Sequence, residues 1–354
     1  MSRFFRSTFQ GLTPYEPGEQ PHREEKLIKL NTNENPYPPS PKVLDSISRG
    51  DIENLRLYSD PSCAAFRAAM AEAYGVEVEQ VLAGNGSDEV LAFAFGAFGE
   101  KGAAFPDLTY GFYKTAANFF HVPFQQVPLR EDFSLAVEDY AGIKGMVVLA
   151  NPNAPTGLHL PLAQIEELLR QEPDRVCLID EAYVDFAGES AVALLPKYDN
   201  LLVVGTFSKS RCLAGARLGY TIGSKELIAD LDAIRCSLTP YNINSLTLMM
   251  GTAAVESAAY YRECCAKIAA TRDKTARSLR ALGFTVTESK TNFLLAGRHP
   301  KISGEEYFRA LRQNGVLVRY FETPRIADWV RISIGTDKEM QYVVEATEKI
   351  LSGR

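Results

Sequence analysis

Histidine and cysteine are scarce in this sequence of 354 residues, and their scarcity excludes two kinds of protein. The four histidines, at positions 22, 121, 159 and 299, are not spaced like metal ligands, so we expect no metal site. The six cysteines are scattered, apart from the adjacent pair Cys264 and Cys265. Such usage is typical of reduced thiols in a cytoplasmic protein and argues against a disulfide framework.

The chain also lacks long apolar runs and an excess of positive charge. Its most apolar stretches, such as 90–98 and 245–259, are short or interrupted by Glu256 and small polar residues, which argues against a membrane span. No apolar run follows the amino-terminal arginines, so we expect no secretory signal. A net charge of −6 and a pI near 5.5 leave no global basic surface for nucleic acid.

Short apolar runs alternate with helical patterns from about residue 60 onward. A helix is predicted to open at Ser62 and to end at Gly75, and a second one covers 161–170. The strand-like runs are 146–150, 176–180, 201–207 and 218–222. Buried strands that alternate with helices predict an α/β domain, with helices flanking a mostly parallel sheet.

The two ends of the chain have different patterns. Residues 11–41 are rich in Pro, Asn and Gly, which indicates an extended arm. A long helical pattern over 255–282 is followed by alternating strands and helices, which favours a separate, smaller α+β domain. We therefore predict an amino-terminal arm over 1–45, a large domain over 46–254 and a small domain over 255–354.

Three unlike polar residues follow three of the predicted strands. Asn153 comes just after 146–150, Asp180 ends 176–180, and Lys209 comes just after 201–207. Ligands of open parallel sheets bind outside the carboxyl ends of the strands. The three residues therefore indicate one shared site.

Lys209 is a candidate for holding an aldehyde cofactor as a Schiff base, provided that its surroundings free the amine. A lone lysine in a loop is more often simply solvated. Its neighbours favour the first alternative, because Thr206 and Ser208 offer hydroxyls and Arg217 offers a guanidinium suited to phosphate oxygens.

Asp180 either caps the turn that follows its strand or is a buried partner for a protonated ring nitrogen. Tyr183, three residues on, either packs in the core or bonds a phenolic oxygen of the same ring. The NPNAPTG segment at 151–157 is either a plain turn or a loop that places the Asn153 amide beside that oxygen.

Other segments offer groups for anions and flat rings. GNGSDE at 84–89 lacks the third glycine of a dinucleotide fingerprint, but it places backbone N–H groups of Ser87 and Asp88 at a helix start, which suits phosphate. Tyr110 either stacks on a ring or packs in the core. Arg331, inside an apolar alternation, needs either a substrate carboxylate or an internal acidic partner.

These motifs together resemble the fold type I aminotransferases, and most closely their histidinol-phosphate aminotransferase branch. The resemblance covers about residues 12–340. It rests on the segments KLNTNENPYPPSPKV, YSDPSCAAFRAAMAEAYGV, GNGSDE, PDLTYGFY, NPNAPTG, DEAYVDF, SKSRCLAGARLGY, PYNINSL, TNF and WVRISIG.

The resemblance implies pyridoxal 5'-phosphate as cofactor and a role for each matching residue. Lys209 resembles the Schiff-base lysine, Asp180 the partner of the ring nitrogen, and Tyr110 the stacking ring. Tyr183 and Asn153 resemble the contacts of the ring oxygen, although many relatives have a second asparagine where this chain has Ala154. The phosphate cup that the resemblance implies consists of Ser87, Asp88, Ser208 and Arg217, and Thr206 beside it is a further cofactor-binding candidate.

The resemblance also implies a homodimer with shared active sites. Tyr58, in YSDP, resembles a tyrosine that reaches the cofactor phosphate of the neighbouring subunit. Arg331 resembles a carboxylate clamp, while Tyr15, Asn33 and Arg319 resemble residues of the substrate pocket.

The implied reaction moves an amino group from L-histidinol phosphate to 2-oxoglutarate, as in histidine biosynthesis. Three alternatives stay open at the level of sequence. They are an aromatic amino-acid aminotransferase, a lyase similar to the threonine-phosphate decarboxylases, and a non-catalytic sensor of pyridoxal phosphate.

Overall fold

The computed structural model describes residues 2–9, 11–15, 17–21 and 27–353. Its strands, in chain order, are β1 (Ile28–Lys29), β2 (Val81–Gly84), β3 (Ala103–Pro106), β4 (Phe124–Val127), β5 (Met146–Ala150), β6 (Cys177–Asp180), β7 (Leu201–Thr206), β8 (Gly219–Gly223), β9 (Thr285–Val286), β10 (Phe293–Gly297), β11 (Val316–Leu317), β12 (Arg319–Tyr320) and β13 (Trp329–Ser333). Its α-helices are α1 (Pro41–Leu44), α2 (Arg49–Glu53), α3 (Ala64–Tyr74), α4 (Ser87–Phe98), α5 (Phe112–Phe119), α6 (Leu162–Gln171), α7 (Lys225–Leu238), α8 (Ser245–Val255), α9 (Ala258–Ala281), α10 (Gly304–Gln313) and α11 (Asp337–Ser352).

The larger sheet has the strand order β2-β8-β7-β6-β5-β3-β4. Its strands from β3 to β7 run parallel, and β8 runs antiparallel to both of its neighbours. Helices α3, α6 and α8 pack on one face and α4, α5 and α7 on the other, so most of its strands are buried on both sides. The predicted α/β domain with a mostly parallel sheet is confirmed.

Local sequence signals explain where the predicted elements begin and end. Helix α3 begins at Ala64, whose N–H donates to the Asp60 carboxylate at 2.8 Å, and it ends at Gly75, which has the left-handed φ of 66°. The long helix predicted over 255–282 is present as α9, which begins three residues later, at Ala258, because the preceding helix α8 ends at Val255.

The smaller sheet has the order β12-β13-β10-β9 and is antiparallel. Helices α9, α10 and α11 pack against it, and their apolar side chains share one buried cluster with β10 and β13. The smaller α+β unit expected at the carboxyl end is therefore present.

Part of the arm joins this smaller unit. Strand β1 pairs in parallel with β11, and the backbone of Leu30 bonds to both Leu317 and Ser333. The predicted arm thus adds a strand to the smaller unit, and the domain boundaries at 45 and 254 stay a prediction.

No helix within the described residues is long and apolar enough to cross a membrane. The described residues also contain no group of three or more His, Cys, Asp or Glu side chains that could hold a metal ion.

Candidate active site

A cavity of about 910 Å³ opens at the carboxyl ends of β5, β6 and β7. Neighbouring parallel strands bring their ends to one edge of the sheet, which is where ligands bind in such folds. All the predicted site residues except Asn153 and Tyr58 line it. They are Tyr15, Asn33, Ser87, Asp88, Tyr110, Asp180, Tyr183, Thr206, Ser208, Lys209, Arg217, Arg319 and Arg331.

Lys209 lies half-buried just beyond β7, and its Nζ donates to the carbonyl oxygen of Thr32 at 3.0 Å. Burial first, and the positive charge of Arg331 second, lower the pKa of the Lys209 amine to about 8. About a tenth of this amine is therefore uncharged at pH 7, and the uncharged form is the one that attacks an aldehyde.

Asp180 ends β6 and is buried. Burial raises the pKa of Asp180 to about 6, against the lowering effect of two hydrogen bonds. One comes from the Tyr113 hydroxyl at 2.8 Å and the other from the backbone N–H of Ala182 at 3.1 Å. The sequence reasoning missed the bond from Tyr113. Its only sequence signal was a second tyrosine three residues after Tyr110, on the helix that follows.

Glu181, the next residue, is also buried, and no residue with a cationic side chain bonds to it within the described part of the chain. Its carboxyl oxygens accept the Ser190 hydroxyl and the Ala191 N–H, each at 2.6 Å. Burial raises the pKa of Glu181 to about 8. Glu181 does not line the cavity, so we assign it a supporting role beside Asp180 and no contact with a ligand.

The amino terminus of α4 forms one end of the cavity. The helix begins at Ser87 after Gly86, which has a φ of 86°, and a Cβ at Gly86 would lie 2.5 Å from Nη2 of Arg217. Glycine therefore allows the guanidinium to approach the helix start closely. Free N–H groups, the helix dipole and an arginine together make an anion site at this end.

The other predicted members of this cup are hydroxyls and a carboxylate. Thr206 donates to the Ser208 hydroxyl oxygen at 3.1 Å. The Asp88 carboxylate accepts the Tyr110 hydroxyl at 2.9 Å and lies 3.5 Å from Nη2 of Arg217. The Asp88 side chain thus fixes two groups of the cavity wall.

Arg331 and Arg319 also line the cavity. Nη2 of Arg331 donates to the Asn31 carbonyl oxygen at 3.0 Å, while its buried Nε has no hydrogen-bond partner among the described residues. No acidic residue among the described ones forms an ion pair with either arginine. Of the two alternatives for Arg331, the internal acidic partner is absent from the described part of the chain.

Arg325 is a further residue that sequence reasoning missed. It lies between Arg319 and Arg331 in the chain and lines the same cavity. Its guanidinium contacts Asp107 at 2.5 Å and the carbonyl oxygens of Leu129 and Arg130 at 3.0 and 2.9 Å. Arg325 therefore ties the loop before β13 to the large sheet, and no local sequence signal marks it.

Asn153 lies in the turn beside the cavity and does not line it. Its Nδ2 donates to the Leu108 carbonyl and the Thr156 hydroxyl oxygen, and its Oδ1 accepts the Thr109 hydroxyl, all at 2.9 Å. The amide is therefore occupied by Thr156 of the turn and by Leu108 and Thr109 of a distant segment, and Ala154 rather than Asn153 lines the cavity. The turn alternative describes the geometry of Asn153.

Two other predicted residues have environments that bear on their roles. Tyr58 is 84% exposed and stacks on Tyr241, with 4.5 Å between ring centroids. Asn33 lines the cavity, but its amide bonds to Tyr183 and Ser333, so it is not free for a substrate.

The arrangement fits pyridoxal phosphate. A lysine of lowered pKa can hold its aldehyde, a buried aspartate can face its ring nitrogen, and the helix start with Arg217 can hold its phosphate. An orphaned guanidinium nitrogen on Arg331 marks a position for a further anion.

Known proteins resemble this chain along its whole length. A protein from a Marinomonas species is 47% identical over 355 residues, covering 99% of this chain and 100% of the relative. One from Clostridium acetobutylicum is 45% identical, with 99% and 100% covered. Both are named histidinol-phosphate aminotransferase.

Among solved structures, a histidinol-phosphate aminotransferase from Sinorhizobium meliloti in complex with pyridoxal-5'-phosphate shares this fold. Its TM-score is 0.89 at 23% identity, with 100% of this chain and 99% of that chain covered. Residues 25–346 match the family described as aminotransferase class I and II. The chain therefore belongs to the class I and II aminotransferases and is a pyridoxal-phosphate-dependent enzyme.

Proposed function

We propose that the chain transfers the amino group of L-histidinol phosphate to 2-oxoglutarate, giving imidazole acetol phosphate and L-glutamate in histidine biosynthesis. The relatives at 47% and 45% identity carry the name of this activity. The structural observation behind the proposal is the pair Arg319 and Arg331, which line the cavity without acidic partners among the described residues. Both proposed substrates have anionic ends, phosphate in one and carboxylate in the other, that such guanidinium groups bind.

Residues of the cavity wall would hold the cofactor at its phosphate and along its ring face. Pyridoxal phosphate, when bound, supplies an aldehyde that takes up the amino group and a ring that accepts electrons from the substrate. The N–H groups at the start of α4, the Arg217 guanidinium and the hydroxyls of Ser87, Thr206 and Ser208 would hold the phosphate. Tyr110 would lie against the ring face.

Lys209 and Asp180 would do the acid–base work. Lys209 is the proposed attachment point, and its Nζ is the proposed carrier of the proton that leaves the substrate carbon. An amine with its pKa lowered to about 8 can both accept and return a proton near neutral pH. The Asp180 carboxylate would keep the ring nitrogen protonated, while Tyr183 would donate to the ring oxygen.

A half-reaction screen tests the substrate. The purified enzyme is mixed with histidinol phosphate, phenylalanine or threonine phosphate, and the cofactor absorbance bands are followed. Histidinol phosphate should convert the bands fastest, and Lys209→Ala should abolish the conversion. Faster conversion by phenylalanine, or release of CO₂ from threonine phosphate, would replace the proposal with one of its rivals.

The active enzyme is proposed to be a cytoplasmic homodimer in which Tyr58 of one protomer reaches the cofactor phosphate of its partner. The support is the position of Tyr58, which is exposed on the isolated chain and lies outside its own cavity. A tyrosine hydroxyl would add one hydrogen bond to a phosphate already held by Arg217 and the helix start.

Mixing two defective proteins tests this sharing. Tyr58→Phe and Lys209→Ala subunits are combined, and the activity is compared with that of each parent. In a mixed dimer one site carries both defects and the other carries neither, so activity should partly return. No recovery beyond either parent, or full activity in a monomer, contradicts the shared site.

A further inference from the structure

The Tyr183 hydroxyl has one hydrogen left to give. Its only hydrogen bond within the described residues is with Nδ2 of Asn33, at 2.9 Å. An amide nitrogen is a donor, so the phenolic oxygen accepts in this contact. Tyr183 lines the cavity, and its own O–H is therefore available to a ligand there.

The orientation of the Asn33 amide follows from its surroundings. Ser333 Oγ accepts the backbone N–H of Asn33 at 2.8 Å, so the hydroxyl hydrogen is free to donate to Asn33 Oδ1 at 3.0 Å. With Oδ1 accepting from Ser333, Nδ2 must face Tyr183. Nδ2 of Asn292 holds the Asn33 carbonyl at 2.9 Å, and the left-handed φ of 56° suits asparagine.

The part of the neighbouring turn that lines the cavity, Ala154 and Pro155, has no side-chain donor. Ala154 lines the cavity with a methyl group and shares an apolar cluster with Tyr183. The amide of Asn153 is occupied by Leu108 and Thr156.

We infer that Asn33 is a positioning residue, which commits the single hydroxyl hydrogen of Tyr183 to the ring oxygen of the cofactor. Because Ala154 has only a methyl group to offer there, the direction of this one donor matters more in this chain. The inference rests on the ring-oxygen role proposed for Tyr183.

The substitution Asn33→Asp isolates this effect. The carboxylate keeps an acceptor for Ser333 and tolerates a left-handed backbone. It cannot donate to Tyr183, however, so it should accept the tyrosine hydrogen and draw it away from the ring oxygen.

The measurement is the pH at which the absorbance bands of the lysine-bound cofactor interconvert, taken without any substrate. A donor to the ring oxygen stabilises the negative charge of that oxygen, which no neighbouring proton offsets at high pH. Losing the donor should therefore raise the midpoint of the transition. We expect a rise of about one pH unit in Asn33→Asp, equal to about 1.4 kcal/mol. Asn118→Asp, which adds the same charge on an exposed position of α5, should leave the midpoint unchanged.

A double-mutant cycle separates hydrogen-bond direction from added charge. In a Tyr183→Phe background, Asn33→Asp should move the midpoint by less than a third of its effect in the wild type, because the hydrogen that it captures is gone. Equal shifts in both backgrounds, or no shift in the wild type, would overturn the inference. A wild-type chain that takes up no pyridoxal phosphate would instead contradict the proposed function, so the two failures are distinguishable.

Discussion

The lowered pKa of Lys209 should control how fast the apoenzyme attaches its cofactor. Only the uncharged amine attacks an aldehyde, and burial together with Arg331 lowers the pKa of Lys209 from 10.5 to about 8. At pH 7 a group with a pKa of 8 is about 9% uncharged, against about 0.03% for an ordinary lysine. The environment therefore raises the reactive fraction by about 300-fold.

The assay follows band formation after apoenzyme is mixed with pyridoxal phosphate between about pH 6 and 10. The rate should rise about tenfold per unit below pH 8 and level off above it, after correction by a simple alkylamine that reports the titration of the cofactor itself. Arg331→Gln removes the second cause of the shift, so its profile should move to higher pH. Arg319→Gln is the matched control, because this arginine is not among the causes of the shift.

Two results would refute this reasoning. A wild-type rate that keeps rising to pH 10 would mean that Lys209 has the pKa of a solvated amine. Overlapping profiles for Arg331→Gln and Arg319→Gln would mean that Arg331 contributes no electrostatic effect at the lysine.

Three further predictions concern the support of the site. Glu181→Gln should be more stable than the wild type at pH 8, by no more than about 5 kcal/mol, because burial raises the pKa of Glu181 to about 8. Above about pH 4.5 the folded wild type binds more protons than the unfolded chain, so its free energy of unfolding should fall as the pH rises to about 8. Urea unfolding of both proteins at pH 5 and pH 8 checks this. An equal change in the free energy of unfolding between the two pH values in wild type and Glu181→Gln would contradict it. Arg325→Ala should lower the free energy of unfolding in urea by about 2 kcal/mol and raise KM more than it lowers kcat. The control Arg130→Ala, which removes an exposed arginine, should lower the free energy of unfolding by under about 1 kcal/mol. Tyr113→Phe removes a hydrogen bond to Asp180, so it should raise the pKa of Asp180 further, speed cofactor dissociation and lower kcat at pH 7 by about tenfold. Unchanged retention of the cofactor would show that Tyr113 does not support the site.

The sequence predicted best the elements that have a periodic pattern or a local sequence motif. The runs at 146–150, 176–180 and 201–207 became β5, β6 and β7, because strands buried on both faces are apolar throughout. Their parallel order then brings Asp180 and Lys209 to one edge, so the centre of the site followed from the pattern.

What the sequence could not supply is set by contacts between distant segments. The direction of the Asn153 amide depends on Thr109 and Leu108, more than forty positions away in the chain. Arg325 looks like any surface arginine until folding brings Asp107 beside it. A residue's type and local spacing carry no information about such partners.

The pairing of β1 with β11 has a consequence for the order of events during synthesis. Ile28 lies opposite Val316, and Asn33 bonds to Ser333 across 300 positions. A nascent chain that already contains Lys209, Asp180 and Tyr183 therefore still lacks the segment that anchors Asn33. Ordering such a long loop costs conformational entropy that only the finished small unit offsets. Almost the whole chain must thus be synthesised before the cavity is complete. A product that ends before Ser333 would lack a complete cavity for the cofactor.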